Sequence, residues 1–291
     1  MEKVENYVRQ IRAFFPELGI VSAEINQDGQ YNDVLVVNNS LIFRFAKVQD
    51  AIETLRREVA ILHHLQDQIS LQIPHPAFVN LNSKVIGEVF VGYPMIPGIP
   101  LWRKNFRKIT NPVVRQRIAA QLAEFLKELH QVAVKELGVE LPIEDQPAYW
   151  TEMYAQIQEN LYPYMRADAQ KEISEHFENF LVNLEQYEFK PKLRHGDFGT
   201  GNILFNSESE SIAGVIDFGS VGLGDPAGDF AGLLISFGEA FYQNCYSVYP
   251  EMETTLERAK FYCGTFALQE ALFGFDNNDQ EAFRAGMKNY L

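Results

Sequence analysis

Cysteines, basic residues and long apolar runs are all scarce in this chain of 291 residues. Only Cys245 and Cys263 are present, which favours two reduced thiols over a disulfide or a metal site. No apolar run is long enough to span a bilayer, and residues 1–6 contain no apolar signal core. We therefore expect a cytoplasmic protein with no membrane partner.

Basic residues are outnumbered, since 25 Lys and Arg face 39 Asp and Glu, for a formal net charge of −14. Phosphate backbones attract basic faces, so we expect no nucleic-acid partner. A negative cleft would instead suit a cationic small molecule. The composition is 46% hydrophobic and 22% charged, which indicates a globular chain with one large domain or two lobes.

The predicted elements change in kind along the chain. A short helix over 2–15 precedes a β-rich part with one helix, and helices dominate after residue 112. The predicted strands are 20–26, 31–38, 40–47, 78–82 and 87–93, and the predicted helices are 50–66, 112–130, 146–165, 168–186 and most of 226–291. Residues 192–217 read as β and loop.

This order predicts an α+β fold with a small β-rich N-terminal lobe and a larger, mainly helical C-terminal lobe. Residues 94–98 are rich in Pro and Gly and follow a strand, so they are the best candidate for a connector. We therefore predict a nucleotide-binding lobe over 1–93, the connector over 94–98, and a catalytic and substrate-binding lobe over 99–291.

The most informative stretch reads HGDFGTGN over residues 195–202 and IDFG over residues 216–219. Phosphoryl transfer needs one carboxylate to orient the attacking hydroxyl, and an Asn and a second carboxylate to hold magnesium. Asp197 is the candidate for the first role, and Asn202 and Asp217 for the second. Each alone could be a turn residue, but their order and spacing favour catalysis. His195 is expected to brace this loop by hydrogen bonding.

A second pair of charges is predicted in the N-terminal lobe. Arg44 alternates with two phenylalanines in a predicted strand, so it points to the opposite sheet face. Glu58 shares the apolar face of the helix over 50–66, and a buried charge needs a partner. We therefore predict an Arg44–Glu58 pair that also reaches nucleotide phosphates; the alternative is two surface charges. The loop over 27–33 lies where a phosphate-covering loop should lie, but its single glycine indicates only a hairpin turn.

Further candidates lie in the last third of the chain. Asp225 is predicted to cap a helix, and it is also a candidate for holding the catalytic loop in place. Acidic and aromatic residues there could bind an aminated sugar, although an amphipathic lobe with a solvated acidic face explains the same pattern. The candidate substrate-binding residues are Glu239, Phe266, Gln269 and Glu270.

With these residues, the chain resembles the aminoglycoside phosphotransferase family, which has a protein-kinase-like fold, and the 2''-phosphotransferases most closely. The matching segments occur in family order over residues 43–45, 57–62, 95–101, 125–130, 195–205 and 214–230. The resemblance implies a bilobal kinase that uses GTP or ATP with Mg²⁺. It implies Asp197 as the catalytic base, Asn202 and Asp217 as metal ligands, and Arg44 with Glu58 as the phosphate-positioning pair.

The resemblance also places the nucleotide base against the connector residues Pro94, Met95 and Ile96. Pro94 has no N–H, so Ile96 should be the hydrogen-bond donor. Tyr93 lies at the gatekeeper position of the family, where a bulky Tyr resembles the members that prefer GTP.

The expected reaction transfers the γ-phosphoryl group to a hydroxyl of an aminoglycoside by a monomeric enzyme. Arg44 stands where better-known members have Lys, and Phe266 and Gln269 stand where resistance enzymes have Trp and Glu. A related kinase acting on a macrolide, homoserine, choline or a ketosamine stays open, as does a non-catalytic nucleotide-binding homologue.

Overall fold

The computed structural model describes residues 2–26, 29, 31–141, 143–144, 147–183 and 189–291. The chain divides into two compact units. Unit 1 comprises Met1–Ile109, Val132–Glu140 and Thr200–Val221, and unit 2 comprises Thr110–Gln131, Leu141–Gly199 and Gly222–Leu291. The lobe boundary at 94–98 stays a prediction. Among the described residues, no helix combines the length and apolar character needed to cross a membrane.

The strands are β1 (Ala23–Asn26), β2 (Asn32–Val37), β3 (Leu41–Ala46), β4 (Phe78–Asn80), β5 (Phe90–Pro94), β6 (Ile99–Pro100), β7 (Lys192–Arg194), β8 (Ile203–Asn206), β9 (Ser211–Val215) and β10 (Gly222–Gly224). The first five form an antiparallel sheet in the order β1-β2-β3-β5-β4. Asn38 and Asn39 adopt positive φ values of 53° and 52° in the turn between β2 and β3. Such angles suit a tight hairpin between these two strands.

The helices are α1 (Glu2–Phe14), α2 (Gln49–Leu65), α3 (Arg103–Phe106), α4 (Pro112–Gln131), α5 (Pro147–Gln156), α6 (Ala167–Val182), α7 (Ala227–Phe237), α8 (Glu239–Asn244), α9 (Glu251–Thr254), α10 (Leu256–Asp276) and α11 (Gln280–Met287). A π-helical turn, Ile157–Leu161, extends α5. The α+β class is therefore confirmed. Predicted helix positions 146 and 184–186 lie outside the described residues.

In unit 1, the five-stranded sheet buries one apolar cluster on each face. Tyr7 and Ile11 of α1 pack with Phe43 and Phe45, whereas α2 packs on a cluster that includes Tyr93. The alternation predicted for β3 is thus confirmed, because its two phenylalanines face α1. Arg44, between them, lies on the other face with α2.

A smaller sheet in unit 1 has the order β6-β8-β9. The β8–β9 hairpin carries Asn202 immediately before its first strand and Asp217 two residues after its second.

Unit 2 contains most of the helices and a short antiparallel ladder of β7 with β10. Helix α10 packs on α7 and α11, and aromatic rings join it to its other neighbours. Phe261 of α10 stacks on Phe180 of α6 with a centroid distance of 3.5 Å, and it meets the ring of Trp150 from α5 at 5.1 Å. These contacts fix the positions of α5 and α6 against α10.

Candidate active site

Arg44 lies between two carboxylates in unit 1. Its Nη1 donates to Glu58 Oε1 at 2.5 Å, and its Nη2 donates to Asp217 Oδ1 at 3.2 Å. The Arg44 and Glu58 side chains are only 10% and 1% exposed, whereas that of Asp217 is 49% exposed. The predicted Arg44–Glu58 pair is therefore present. Arg44 also contacts Asp217, which lies 173 positions away in the sequence and was predicted independently as a metal ligand.

The surroundings keep Arg44 charged. Burial alone would lower its pKa, but the charges of Glu58 and Asp217 raise the pKa above its ordinary value. Gly219 keeps the space beside this ion pair open. A Cβ at Gly219 would lie 3.3 Å from Asp217 Oδ1 and 3.5 Å from Arg44 Nη2. The guanidinium can thus present a fixed positive charge next to the Asp217 carboxylate.

Asn202 and Asp217 lie at the same end of the β8–β9 hairpin. The Ile216 N–H donates to the Asn202 carbonyl oxygen at 2.9 Å, one residue beyond the paired Ile203 and Val215. Asp217 has the left-handed φ of 63°, which is unfavourable for a residue with a Cβ. The strained backbone occurs at the position where the sequence predicts a metal ligand.

These two residues fit a magnesium ion. Mg²⁺ prefers oxygen donors and is held by one or two carboxylates together with water and substrate phosphates. Asp217 offers a half-exposed carboxylate and Asn202 an amide oxygen. No cluster of three or more His, Cys, Asp or Glu suited to a metal occurs among the residues that the structure describes. Asp217 and Asn202 would thus supply only two of the ligands of a magnesium ion, and water and nucleotide phosphates would supply the others.

Tyr93 lies on the sheet face of unit 1 that also holds Arg44, and the predicted connector residues follow it in the chain. Tyr93 is paired with Ile42 of β3, so it shares a sheet face with Arg44. Burial raises the pKa of the Tyr93 phenol to about 12, while the nearby Arg44 charge opposes this shift. The Met95 N–H donates to Ser40 O at 2.8 Å. The Met95 N–H is therefore already engaged within the sheet, and donation from Ile96 to a nucleotide base stays a prediction.

Pro94, Met95 and Ile96 also line a cavity of about 360 Å³, together with residues 66, 69–73 and 75. Of the loop predicted to cover phosphates, Gln27, Asp28 and Gln30 lie outside the described residues. Which surface the base uses stays a prediction.

The Asp197 loop follows β7 in unit 2, and Asp197 is exposed. Gly196 has a φ of 81°, a left-handed value that glycine adopts without strain. The buried His195 ring accepts from the Asp197 N–H through Nδ1 at 3.3 Å. This geometry is what a bracing role for His195 requires, and it presents the Asp197 carboxylate to solvent.

Asp229 of α7 anchors the Asp197 loop, and this residue is not among those predicted from the sequence. Its Oδ2 accepts from His195 N at 2.8 Å, and its Oδ1 accepts from Gly196 N at 2.9 Å. His130, from the end of α4, contacts Asp229 Oδ2 through Nε2 at 3.1 Å and Tyr249 Oη through Nδ1 at 3.3 Å. A buried Asp and a buried His on apolar helix faces need hydrogen-bond partners, and that signal could have marked each residue as a candidate, although not as the partner of the other.

The electrostatics of Asp229 favour its carboxylate form. Burial by itself would raise its pKa, but the hydrogen bond and charge of His130, with smaller effects of His195 and Arg194, hold the pKa below its usual range. The loop amides therefore bind an ionised acceptor.

Asp225 occupies a different place in unit 2. Its Oδ1 accepts from the N–H of Ala227, the first residue of α7, at 3.0 Å, although Pro226 and not the predicted Asp225 occupies the N-cap position. Arg258 Nε donates to its Oδ2 at 2.7 Å, and Tyr262 Oη donates to the same oxygen at 3.0 Å. Asp225 thus connects α7 to α10, and a direct role for it in holding the catalytic loop stays a prediction.

The candidate substrate residues do not all come together. Glu239 begins α8 and lies 3.8 Å from Lys260 Nζ, near the start of α10. Gln269 lies nine residues further along, or about 13 Å along the helix axis. Phe266 is half-buried and Glu270 is exposed. Gln269 alone among the four lines a cavity of about 320 Å³, whose other lining residues are Tyr149, Glu152, Met153, Gln156 and Leu272.

Comparison with known proteins identifies the family of the chain. The model of the phosphotransferase enzyme family (APH) matches residues 22–262. The viomycin phosphotransferase of Streptomyces vinaceus is 28% identical over 272 residues, which cover 90% of this chain and 91% of that protein.

Two solved structures illustrate the shared kinase-like fold. The complex of the aminoglycoside phosphotransferase APH(2'')-IIIa with GDP and kanamycin has a TM-score of 0.88 at 24% identity, covering 97% of this chain and 96% of that one. A macrolide 2'-phosphotransferase type I has a TM-score of 0.72 at 18% identity, covering 97% and 96%. The expected protein-kinase-like fold is confirmed.

Proposed function

Because the chain belongs to the phosphotransferase enzyme family, whose members transfer phosphate to hydroxyl groups, we propose that it phosphorylates an aminoglycoside antibiotic with GTP or ATP. The observation that carries this proposal is the position of Arg44 between Glu58 and Asp217, at the hairpin end that also holds Asn202. This arrangement supports the binding of a triphosphate with its metal ion.

Each residue on the donor side has a distinct task. Glu58 fixes Arg44, so the guanidinium can contact phosphate oxygens without losing its orientation. Asp217 and Asn202 would hold Mg²⁺, which neutralises charge developing on the transferring phosphoryl group. Arg44 must then share Asp217 with the metal, and the longer Arg44–Asp217 contact of 3.2 Å is compatible with such sharing.

On the acceptor side, Asp197 would accept a hydrogen bond from the attacking hydroxyl and remove its proton. Its loop is fixed by the hydrogen bonds that the backbone N–H groups of His195 and Gly196 donate to Asp229, so the Asp197 carboxylate is positioned before the acceptor binds. The proposed reaction is in-line attack of that hydroxyl on the γ-phosphate.

Tyr93 is proposed to favour GTP over ATP. Its ring is nearly buried beside Arg44, and a bulky ring there limits how deeply a base can enter. Viomycin is a second candidate acceptor, because the viomycin phosphotransferase matches nine-tenths of this chain.

A coupled assay tests the proposal directly. The purified enzyme would be given Mg²⁺ with GTP or ATP, and kanamycin, viomycin, a macrolide, choline and homoserine in turn. We expect turnover with kanamycin and loss of that turnover in Asp197→Ala; turnover with viomycin but not with kanamycin would replace the aminoglycoside by the second candidate acceptor. Turnover only with the macrolide or a metabolic alcohol would refute the proposed acceptor class. No turnover with any of them would favour a non-catalytic nucleotide-binding protein.

A further inference from the structure

Trp102 is a half-exposed aromatic residue beside the hairpin end that carries the predicted metal ligands. It is 47% exposed, whereas Trp150, the other tryptophan of the chain, is 2% exposed. Tryptophan is highly buried on average in folded proteins, so an exposed ring beside a candidate site is unusual. The proposed reaction assigns no task to this residue.

The small sheet of unit 1 places Trp102 in line with a metal ligand. The Leu101 N–H donates to the Ile203 carbonyl oxygen at 2.8 Å, which extends the antiparallel pairing of β6 with β8. One step further in this register, Trp102 comes opposite Asn202. Trp102 therefore lies at the end of the sheet that carries both predicted metal ligands.

The indole of Trp102 packs on Gly201, the residue immediately before Asn202. A Cβ at Gly201 would lie 3.0 Å from Cη2 and 3.3 Å from Cζ3 of the indole, which is closer than most Cβ contacts in proteins. A side chain at position 201 would therefore displace the ring. Because glycine has no Cβ, the outer edge of the indole can lie directly on the backbone of this segment.

The backbone of Trp102 is held independently of this contact. Its carbonyl oxygen accepts from the N–H groups of Asn105 at 2.7 Å and of the buried Phe106 at 2.9 Å. Trp102 occupies the N-cap position of α3, where Ser, Thr, Asp and Asn are preferred, and its side chain makes no cap hydrogen bond. The side chain thus contributes nothing to the start of the helix, and its ring is held against the segment that carries Asn202.

We infer that Trp102 is a positioning residue for Asn202, because its ring restricts the backbone just before this metal ligand and so keeps the amide oxygen oriented for Mg²⁺. The inference rests on the nucleotide-binding part of the proposed function. Asn202 is also held from the other side, by the hydrogen bond from Ile216 N–H to its carbonyl oxygen. Groups that orient a metal ligand raise its affinity, since less ordering is needed when the metal binds.

Titration of the full-length protein with GTP or ATP at increasing Mg²⁺ concentrations tests this role without turnover. Trp102→Ala should raise the Mg²⁺ concentration for half-maximal nucleotide binding about tenfold, the lower end of the effect of groups that support metal ligands. Trp102→Phe should show most of the same loss, because phenylalanine lacks the outer ring that meets Gly201. Nucleotide binding without Mg²⁺ should be unchanged in both variants, which separates an effect on the metal ligand from a general loss of structure.

Ile99→Ala is the matched control for these variants. Ile99 is 53% exposed, belongs to β6 and pairs with Phe205, three positions along the ladder from Asn202. Its removal should leave the Mg²⁺ dependence unchanged.

A double-variant cycle tests the contact between the ring and the glycine. Gly201→Ala should weaken Mg²⁺-dependent nucleotide binding in the wild type, because the new Cβ displaces the indole. In the Trp102→Ala background the same change should have little effect, because the ring is absent. Equal losses from Gly201→Ala in both backgrounds would show that the ring does not act through this contact, and the inference would be overturned.

Assays of acceptor phosphorylation separate this inference from the proposed function. If the wild type phosphorylates kanamycin and Trp102→Ala needs no more Mg²⁺ than Ile99→Ala, the positioning role is refuted and the proposed function stands. If the wild type binds the Mg²⁺–nucleotide and the cycle gives the expected result, but no antibiotic is phosphorylated, the positioning role stands and the proposed function fails. If the wild type binds neither GTP nor ATP in the presence of Mg²⁺, both fail.

Discussion

The buried ion pair between Arg44 and Glu58 allows a quantitative prediction about stability. In Glu58→Ala, the Arg44 guanidinium would stay buried with only the half-exposed Asp217 carboxylate, 3.2 Å away, as its ionic partner. Removing one member of a buried pair costs about 3–5 kcal/mol. Asp217 offsets part of that loss, so we expect the lower end, a decrease of about 3 kcal/mol in the free energy of unfolding.

Urea unfolding followed by circular dichroism measures this change, with Glu53→Ala as the matched control. Glu53 lies on the same helix, is 75% exposed and pairs with Arg56. Its removal should cost about 0.5 kcal/mol or less. A Glu58→Ala variant that is as stable as Glu53→Ala would refute the idea that Arg44 depends on Glu58.

A double variant separates stability from function. Replacing both partners of a buried pair by apolar residues of similar size is often neutral or stabilising. The variant with Arg44→Met and Glu58→Leu should therefore regain most of the lost stability, yet bind GTP and ATP poorly because the phosphates lose their cation. Normal nucleotide binding by this double variant would contradict the phosphate-positioning role.

Four further predictions concern single positions. Asp197→Asn should lower kcat by about 10²–10⁴-fold and leave the urea midpoint unchanged, because its carboxylate is exposed; retained turnover would exclude it as the base. Asp217→Asn should weaken Mg²⁺-dependent nucleotide binding measured by titration, and unchanged binding would remove it from the metal site. Tyr93→Ala should relax a preference for GTP over ATP, whereas Tyr93→Phe should keep it; equal preferences in all three proteins would argue against gating by the ring. The lowered pKa of Asp229 means that the unfolded chain takes up a proton at higher pH than the folded chain. Its stabilisation is thus present above about pH 4 and lost as pH falls further, so Asp229→Asn should flatten the acid dependence of the unfolding free energy, and an unaltered dependence would contradict this.

Local sequence patterns predicted the elements that carry the candidate site. Alternation in β3 correctly placed Arg44 opposite its two phenylalanine neighbours, because successive side chains of a strand point to opposite faces. Helical spacing correctly predicted that Glu58 lies on the buried face of α2. The predicted start of that helix at residue 50 was less accurate, since α2 begins at Gln49. Helix ends depend on single backbone angles, which periodicity does not specify.

Contacts between segments that are distant in the sequence were harder to predict. Nothing local to Asp229 or His130 indicates that they meet, since 99 residues separate them and each reads as one polar residue in an apolar helix. The cavity between α5 and α10 depends likewise on two helices whose separation in sequence carries no distance information. Glu152 and Tyr149 line this cavity, but both are exposed, and nothing in their sequence context distinguishes them from other surface residues of a helix.

Periodicity and short spacings express local geometry, so they were enough to predict the fold class, the Arg44–Glu58 pair and the order of the residues nominated for phosphoryl transfer. The folded structure was needed to show that Asp217 contacts Arg44, that Asp229 anchors the Asp197 loop, and that Glu152 lines the same cavity as Gln269. Those contacts are set by how whole helices and strands pack, and packing is a property of surfaces formed only after the chain has folded.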